Sequence, residues 1–188
     1  MTDPERFVVF DVETPNRAND RMSAIGVAVV EEGKIVQSFH TLIDPETWFD
    51  PFNVYLTGIT PQAAAQAPTF PQVWSMIEGI FSRGVLAAHN APFDMGVLAR
   101  CLKAYGLGWK SSAEYLCTYR MARKLLPSLE NHRLDTLCRH FSIPLEHHRA
   151  ESDSLACAKL LLELRAMGAD PAAFRRRYDL FRFCTLPR

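Results

Sequence analysis

Cysteine is scarce and unpatterned in this chain of 188 residues: five thiols, Cys101, Cys117, Cys138, Cys157 and Cys184, an odd number with no C-x-x-C spacing. That excludes a disulfide framework and a thiolate zinc site, and leaves reduced, mostly buried thiols as in cytosolic proteins. No apolar run approaches the roughly 20 residues that span a bilayer. The start, Met1 to Arg6, lacks the basic and apolar regions of a signal peptide. The expectation is a cytoplasmic protein that does not engage a membrane. Internal repeats and low-complexity tracts are absent, and so is net charge, with 21 Lys+Arg against 21 Asp+Glu.

What is present is a globular composition, 48% hydrophobic and 22% charged. It supports one domain with a full-sized core and excludes a largely disordered chain. The charges are separated along the sequence: residues 1–99 hold 5 basic and 12 acidic side chains, residues 100–188 hold 16 and 9. Such separation suits an acidic cation site beside a basic strand-binding surface; it suits equally two faces that neutralise each other.

Phe7-Val8-Val9-Phe10 reads as a central strand buried on both faces. Residues 23–30 and 34–43 are β-rich, with Glu31-Glu32-Gly33 as a hairpin turn between them. Three closely linked strands leave no room for helical crossovers, so an antiparallel meander is expected. The proline-rich segment 44–70 reads as loops with a short helix starting at Thr60-Pro61, and a second helix starts after Thr69. Beyond it, helices at about 71–82, 93–105, 118–126, 133–141 and 152–166 alternate with strands at 85–88 and 114–117. The sum is an α/β domain: a mixed five-stranded sheet, antiparallel meander plus parallel strands, flanked by helices. Residues 1–168 form that domain, and the basic tail 169–188, with Arg175-Arg176-Arg177, is expected to be helical and packed on it or extending it.

Three motifs carry chemistry. In Phe10-Asp11-Val12-Glu13-Thr14, residues i and i+2 of a strand share a face, so Asp11 and Glu13 point together. Paired carboxylates at the end of a buried strand repel each other and are desolvated, and a divalent cation cancels both costs. His89-Asn90-Ala91-Pro92-Phe93-Asp94 follows the strand at 85–88 and brings Asp94 to a helix start at the same sheet edge. His148-Arg149-Ala150-Glu151-Ser152-Asp153 anchors Asp153 on a helix, with His148 on the approach. His147 fits an H-x5-D spacing where His148 fits H-x4-D, so spacing decides between them. Each motif alone also reads as a solvated strand end, a helix cap or a capping acid after a polar loop. Together, four carboxylates and a histidine suit hard cations such as Mg²⁺ or Mn²⁺, two of which serve phosphodiester hydrolysis, and a neutral histidine to deprotonate water.

FDVET, HNAPFD and HRAESD, in this order, resemble the three motifs of the DEDDh family of 3′–5′ exonucleases, which includes the proofreading epsilon subunit of bacterial DNA polymerase III. The resemblance covers about residues 7–164 and extends to Leu56-Thr57-Gly58-Ile59, similar to the family's LTGI segment. It implies an RNase H-like fold, Asp11, Glu13, Asp94 and Asp153 as metal-binding acids for two divalent cations, and His148 as general base. It further implies that Thr14 approaches the terminal nucleotide, that His89 and Asn90 contact its sugar or phosphate, and that Leu56 and Phe93 pack against the last base or sugar. Two departures stand out. Thr14-Pro15-Asn16 replaces the family's Thr-Thr-Gly, which implies an altered substrate loop, and Cys117-Thr118 replaces Asp-Thr.

The implied activity is metal-dependent removal of nucleoside 5′-monophosphates from 3′ ends of single-stranded or frayed DNA, in proofreading or repair. Arg100, Lys103 and Arg149 are candidate strand contacts. A polymerase or another replication or repair protein would then be a partner in trans. The rival readings are a 3′–5′ exoribonuclease or oligoribonuclease, and a non-catalytic nucleic-acid-binding or polymerase-docking module on the same scaffold.

Overall fold

Alternation along the first strand divides the molecule into three layers. In a computed structural model, which describes residues 6–181, strand β1 (Arg6–Glu13) sends Val8, Phe10 and Val12 to one face of the sheet and Phe7 and Val9 to the other. The first face is covered by α3 (Phe70–Phe81) and α4 (Pro92–Ala104), through Phe70, Trp74, Ile77, Met95 and Leu98. The second is covered by α5 (Thr118–Leu125), α6 (Leu134–His140) and α7 (Ala150–Ala166), through Met121, Leu137, Leu160 and Leu161.

The expected meander forms from β1, β2 (Ala24–Glu31) and β3 (Lys34–Leu42). Its tight turn is Glu32-Gly33, both with positive φ (49° and 75°), the backbone of a two-residue hairpin loop. Strands β4 (Val85–Ala88) and β5 (Ser112–Cys117) then add parallel to β1, as alternating strands and helices require. The order is β3-β2-β1-β4-β5-β6.

Among the described residues the sheet has six strands, one more than the five expected. The sixth, β6 (Arg176–Asp179), comes from the basic segment and pairs antiparallel with β5. Its sequence has no apolar alternation, so nothing in its pattern announces a strand. Backbone pairing, an Arg175–Glu114 ion pair (3.7 Å) and an edge-on Tyr115–Tyr178 contact hold it. Before it lies one helical turn, α8 (Pro171–Phe174). Residues 182–188, Cys184 among them, lie outside the described residues; Cys101, Cys117, Cys138 and Cys157 are buried, free thiols. Among the described residues, no helix is long and apolar enough to cross a membrane.

Two short helices precede α3. Alongside the anticipated α2 (Pro61–Ala64), capped by Thr60, there is α1 (Pro51–Thr57), whose N-cap Asp50 accepts from the Phe52 N–H and whose first position is Pro51. Asp50-Pro51 is the same signal as Thr60-Pro61.

Candidate active site

Strand β1 outruns its parallel neighbour. It pairs with β4 only over Phe7–Val9, while its pairing with β2 continues to Glu13. Asp11 and Glu13 therefore lie beyond the last β1–β4 contact, where an α/β sheet leaves a crevice at its carboxyl ends. The chain leaving β4 turns through Asn90, in a left-handed conformation (φ 63°), and enters α4. The third residue of α4, Asp94, accepts the Val12 N–H at 3.3 Å, so α4 is tied to the strand carrying the other acids. From the second face, the first turn of α7 delivers Asp153. Ligating oxygens of Asp11, Glu13 and Asp153 all lie within 4.8 Å of one another.

These carboxyls sit in poor solvent: Glu13, Asp94 and Asp153 are buried at 8%, 2% and 3% exposure. Burial, reinforced by Asp94, Glu13 and Asp153, holds the Asp11 carboxyl well above the usual carboxylate range. Burial and then Asp153 push Glu13 up to about 7. Asp94 is raised by burial against the opposing backbone N–H groups. Crowded, desolvated carboxyls of this kind are stabilised by a divalent cation, and an all-oxygen donor set suits Mg²⁺ or Mn²⁺.

The acids lie between two clefts. One, of about 340 Å³, is lined by Glu13, His148, the ends of β2 and β3, and Thr57-Gly58-Ile59. The other, of about 450 Å³, is lined by Asp11, Asp153, His147, His89, Asn90, Tyr119 and Arg133. The two adjacent histidines thus serve different sides. His147 Nδ1 lies 3.1 Å from Asp153 Oδ1, and the hydrogen bond raises its pKa. His148 adopts a left-handed backbone (φ 65°), gives its N–H to Asp153 Oδ2 at 2.8 Å, and has its pKa lowered by burial and then by His147. The rings stack with centroids 4.0 Å apart. Sequence spacing separates the two histidines by only one residue; in the structure their stacked rings stand side by side near Asp153, His147 lining the Asp11 cleft and His148 the Glu13 cleft.

His89 is fully engaged within the protein. Its Nε2 lies 3.0 Å from the His132 carbonyl oxygen, which can only accept, so Nε2 carries the proton and Nδ1 accepts from the Thr118 hydroxyl at 2.9 Å. Burial pushes its pKa down to about 4, leaving a neutral ring. The Thr118 of the divergent Cys117-Thr118 pair is thereby used to orient His89 at the edge of the site.

Of the other expected substrate residues, Asn90 lines the Asp11 cleft, and Thr14, Leu56 and Phe93 line neither cleft. Thr14 is buried; its carbonyl accepts from Asn53 Nδ2 at 2.8 Å and its hydroxyl donates to Asn19. Leu56 and Phe93 expose 37% and 40% of their surface, and neither lines the two clefts. The divergent Pro15-Asn16 is pinned to the segment before α1: Asn16 Nδ2 donates to the Trp48 carbonyl at 2.7 Å, and the Asp50 N–H to the Pro15 carbonyl at 2.8 Å. Arg100 and Lys103 flank a separate hollow with Asp20. Sequence reasoning missed Tyr119 and Arg133, which line the Asp11 cleft; neither belongs to a motif, and only the fold brings them there.

The Exonuclease family model (RNase_T) matches residues 8–161, which contain all three motifs. By sequence, the chain is 37% identical over 163 residues to the PolC-type DNA polymerase III of Oceanobacillus iheyensis, an alignment covering 85% of this chain and 11% of that protein. The chain therefore spans only about a tenth of the length of such relatives. Among solved structures it is similar to Exonuclease X in complex with 5′ overhanging duplex DNA, with a TM-score of 0.71 and 25% identity, covering 90% of this chain and 96% of that one. The nuclease domain of 3′hExo, a DEDDh family member bound to rAMP, shares the fold with a TM-score of 0.71 at 16% identity, covering 88% and 93% of the two chains.

Proposed function

Because the chain belongs to the Exonuclease (RNase_T) family, we propose that it is a 3′–5′ enzyme of the DEDDh type that removes nucleotides one at a time from 3′ ends of single-stranded or frayed DNA. The observation that carries this reading is the convergence of Asp11, Glu13 and Asp153 oxygens within 4.8 Å, with Asp94 tied to the same strand, at the open end of the sheet.

Asp11, Glu13, Asp94 and Asp153 are the residues that would hold two divalent cations, Mg²⁺ or Mn²⁺. When bound, these supply charge stabilisation at the attacking and leaving oxygens. His148 removes one proton from the attacking water; its lowered pKa keeps the imidazole neutral near pH 7, as a base requires. The water oxygen bonds to phosphorus, and the bond from phosphorus to the 3′-oxygen of the preceding nucleotide breaks. The leaving 3′-oxygen takes up a proton from solvent and His148 returns its proton to solvent, so the products are a nucleoside 5′-monophosphate and a strand with a new 3′-hydroxyl. His147 pairs with Asp153 and fixes that carboxylate. Asn90 lines the Asp11 cleft and meets the terminal sugar or phosphate, Thr14, Leu56 and Phe93 meet the rest of the terminal nucleotide, and His89, held by Thr118 and the His132 carbonyl, forms part of the same cleft wall. The catalytic unit is residues 1–168, extended by 169–188. The cellular setting proposed is cytoplasmic, in proofreading or repair with a polymerase or other replication protein in trans.

Paired DNA and RNA oligonucleotides of one sequence test this reading. Nucleoside 5′-monophosphates should accumulate faster from DNA; faster release from RNA would move the enzyme to RNA trimming, and 3′-monophosphates would overturn the mechanism. The histidine roles are tested separately. His148→Ala should lower kcat by about 10²-fold or more and His147→Ala by clearly less; equal effects would reject the assignment.

A further inference from the structure

Glycine is a poor choice for the middle of a strand, where it loses backbone entropy and offers no side chain to pack. Gly26 nevertheless sits inside β2, directly opposite Asp11 in the β1–β2 register. No turn or left-handed backbone requires it there; the reason is space. A Cβ on Gly26 would lie 1.9 Å from the carbonyl oxygen of Ala150, 2.3 Å from its carbonyl carbon and 2.6 Å from Ser154 Oγ. Both neighbours belong to the first turns of α7, on either side of Asp153.

We propose that Gly26 is a positioning residue for the metal-binding acids: its missing side chain lets the start of α7 rest on β2, which sets the depth at which Asp153 meets Asp11 and Glu13. The inference rests on the functional reading above. The positions of β2 on this face grow in size away from the site, from Gly26 to Ala28 to Val30, the last two packed in the core under α7. The floor beneath the helix therefore slopes down toward the acids. Ser154 Oγ could rotate away from an added methyl, but the Ala150 carbonyl is main chain and yields only if the helix end moves. Restoring ordinary contact, about 3.5 Å between heavy atoms, lifts that end by about 1.5 Å, and a displacement near 1 Å is enough to cost about 10²-fold in rate.

The test is Gly26→Ala in the full chain, read by Mn²⁺ titration calorimetry, by kcat and KM on a single-stranded oligonucleotide, and by melting in EDTA. Expected are a Mn²⁺ affinity at least about tenfold weaker and a kcat about 10²-fold lower, with KM within about threefold and melting still cooperative. Gly79→Ala, at an exposed helical position whose Cβ would meet nothing within 4 Å, is the control and should leave all three unchanged or slightly raise the melting temperature. Adding Asp153→Glu to Gly26→Ala should recover part of the Mn²⁺ affinity by lengthening the reach, which a purely structural defect would not allow. Should Gly26→Ala not fold, Ser154→Thr crowds the same gap from the helix side and should weaken Mn²⁺ likewise. Retained affinity and kcat in a folded Gly26→Ala, or in Ser154→Thr, overturns the proposal. Wild-type protein that neither binds Mn²⁺ nor cleaves would instead overturn the functional reading itself.

Discussion

Asp11→Asn is expected to lower turnover on a single-stranded oligonucleotide by at least about 10²–10³-fold, the scale of losing one element of preorganised charge stabilisation. The substitution keeps the shape of the side chain and removes its charge. Asp11 is the carboxyl on which burial and all three other acids act in the same direction. Its anionic form is therefore disfavoured in the metal-free protein and is favoured by a bound cation. Far-ultraviolet circular dichroism should be unchanged, so the loss is in chemistry and not in folding. Turnover within about tenfold of wild type would remove Asp11 from the reacting centre.

The second large effect concerns stability, and its sign runs against intuition. Glu13 has its carboxyl raised from 4.5 to about 7 in the folded protein, by burial first and then by Asp153. Between those values the folded chain holds a proton that the unfolded chain has released. Raising the pH through this window therefore favours unfolding, by about 3 kcal/mol once pH 8 is reached, from this group alone. Asp11 and Asp94 are shifted in the same direction and add to the loss. In EDTA at pH 8, Glu13→Gln should therefore be more stable than wild type by about 3 kcal/mol, and the difference should vanish below pH 4.5. Saturating Mn²⁺ should reverse the order, since the intact acid binds the ion and gains stability by mass action. Chemical denaturation at the two pH values, with and without Mn²⁺, reads all of this. Equal stabilities in EDTA at pH 8 would show that the acids are not in conflict.

The meeting of the acids at one edge of the sheet was more legible in the sequence than its surroundings, for reasons visible in particular residues. Strand periodicity is strict, so Asp11 and Glu13 had to share a face once Phe7 and Val9 were buried. Asp94 and Asp153 each follow a loop into an apolar helix, and that pattern also survives in sequence. What did not survive is anything set by contact at a distance. Strand β6 reads as a basic run, because it is held by pairing with β5 and by the single ring of Tyr178, with no apolar alternation of its own. Helix α1 carries the Asp50-Pro51 signal but lies within a proline-rich stretch that reads as loop. His89 reads as a substrate contact until Thr118 and the His132 carbonyl are seen to occupy both ring nitrogens. Gly26 has no motif at all; its meaning appears only when α7 is seen resting on it.

The separated charges of the sequence take on a definite form here. Three of the acids in the negative half converge with one from the positive half, and bound cations would neutralise much of that cluster. A grip on strand ends that weakens with salt is then compatible with a formal net charge of zero.

The most direct measurement is cleavage of one oligonucleotide labelled in parallel at its 3′ and 5′ ends, with Mg²⁺ or Mn²⁺, with EDTA, and with Asp11→Asn. The account predicts immediate release of the 3′ label as a mononucleotide and a ladder of stepwise shortened 5′-labelled strands, both abolished by EDTA and by the substitution. Internal cuts, shortening from the 5′ end, or no metal-dependent cleavage of DNA or RNA would contradict it.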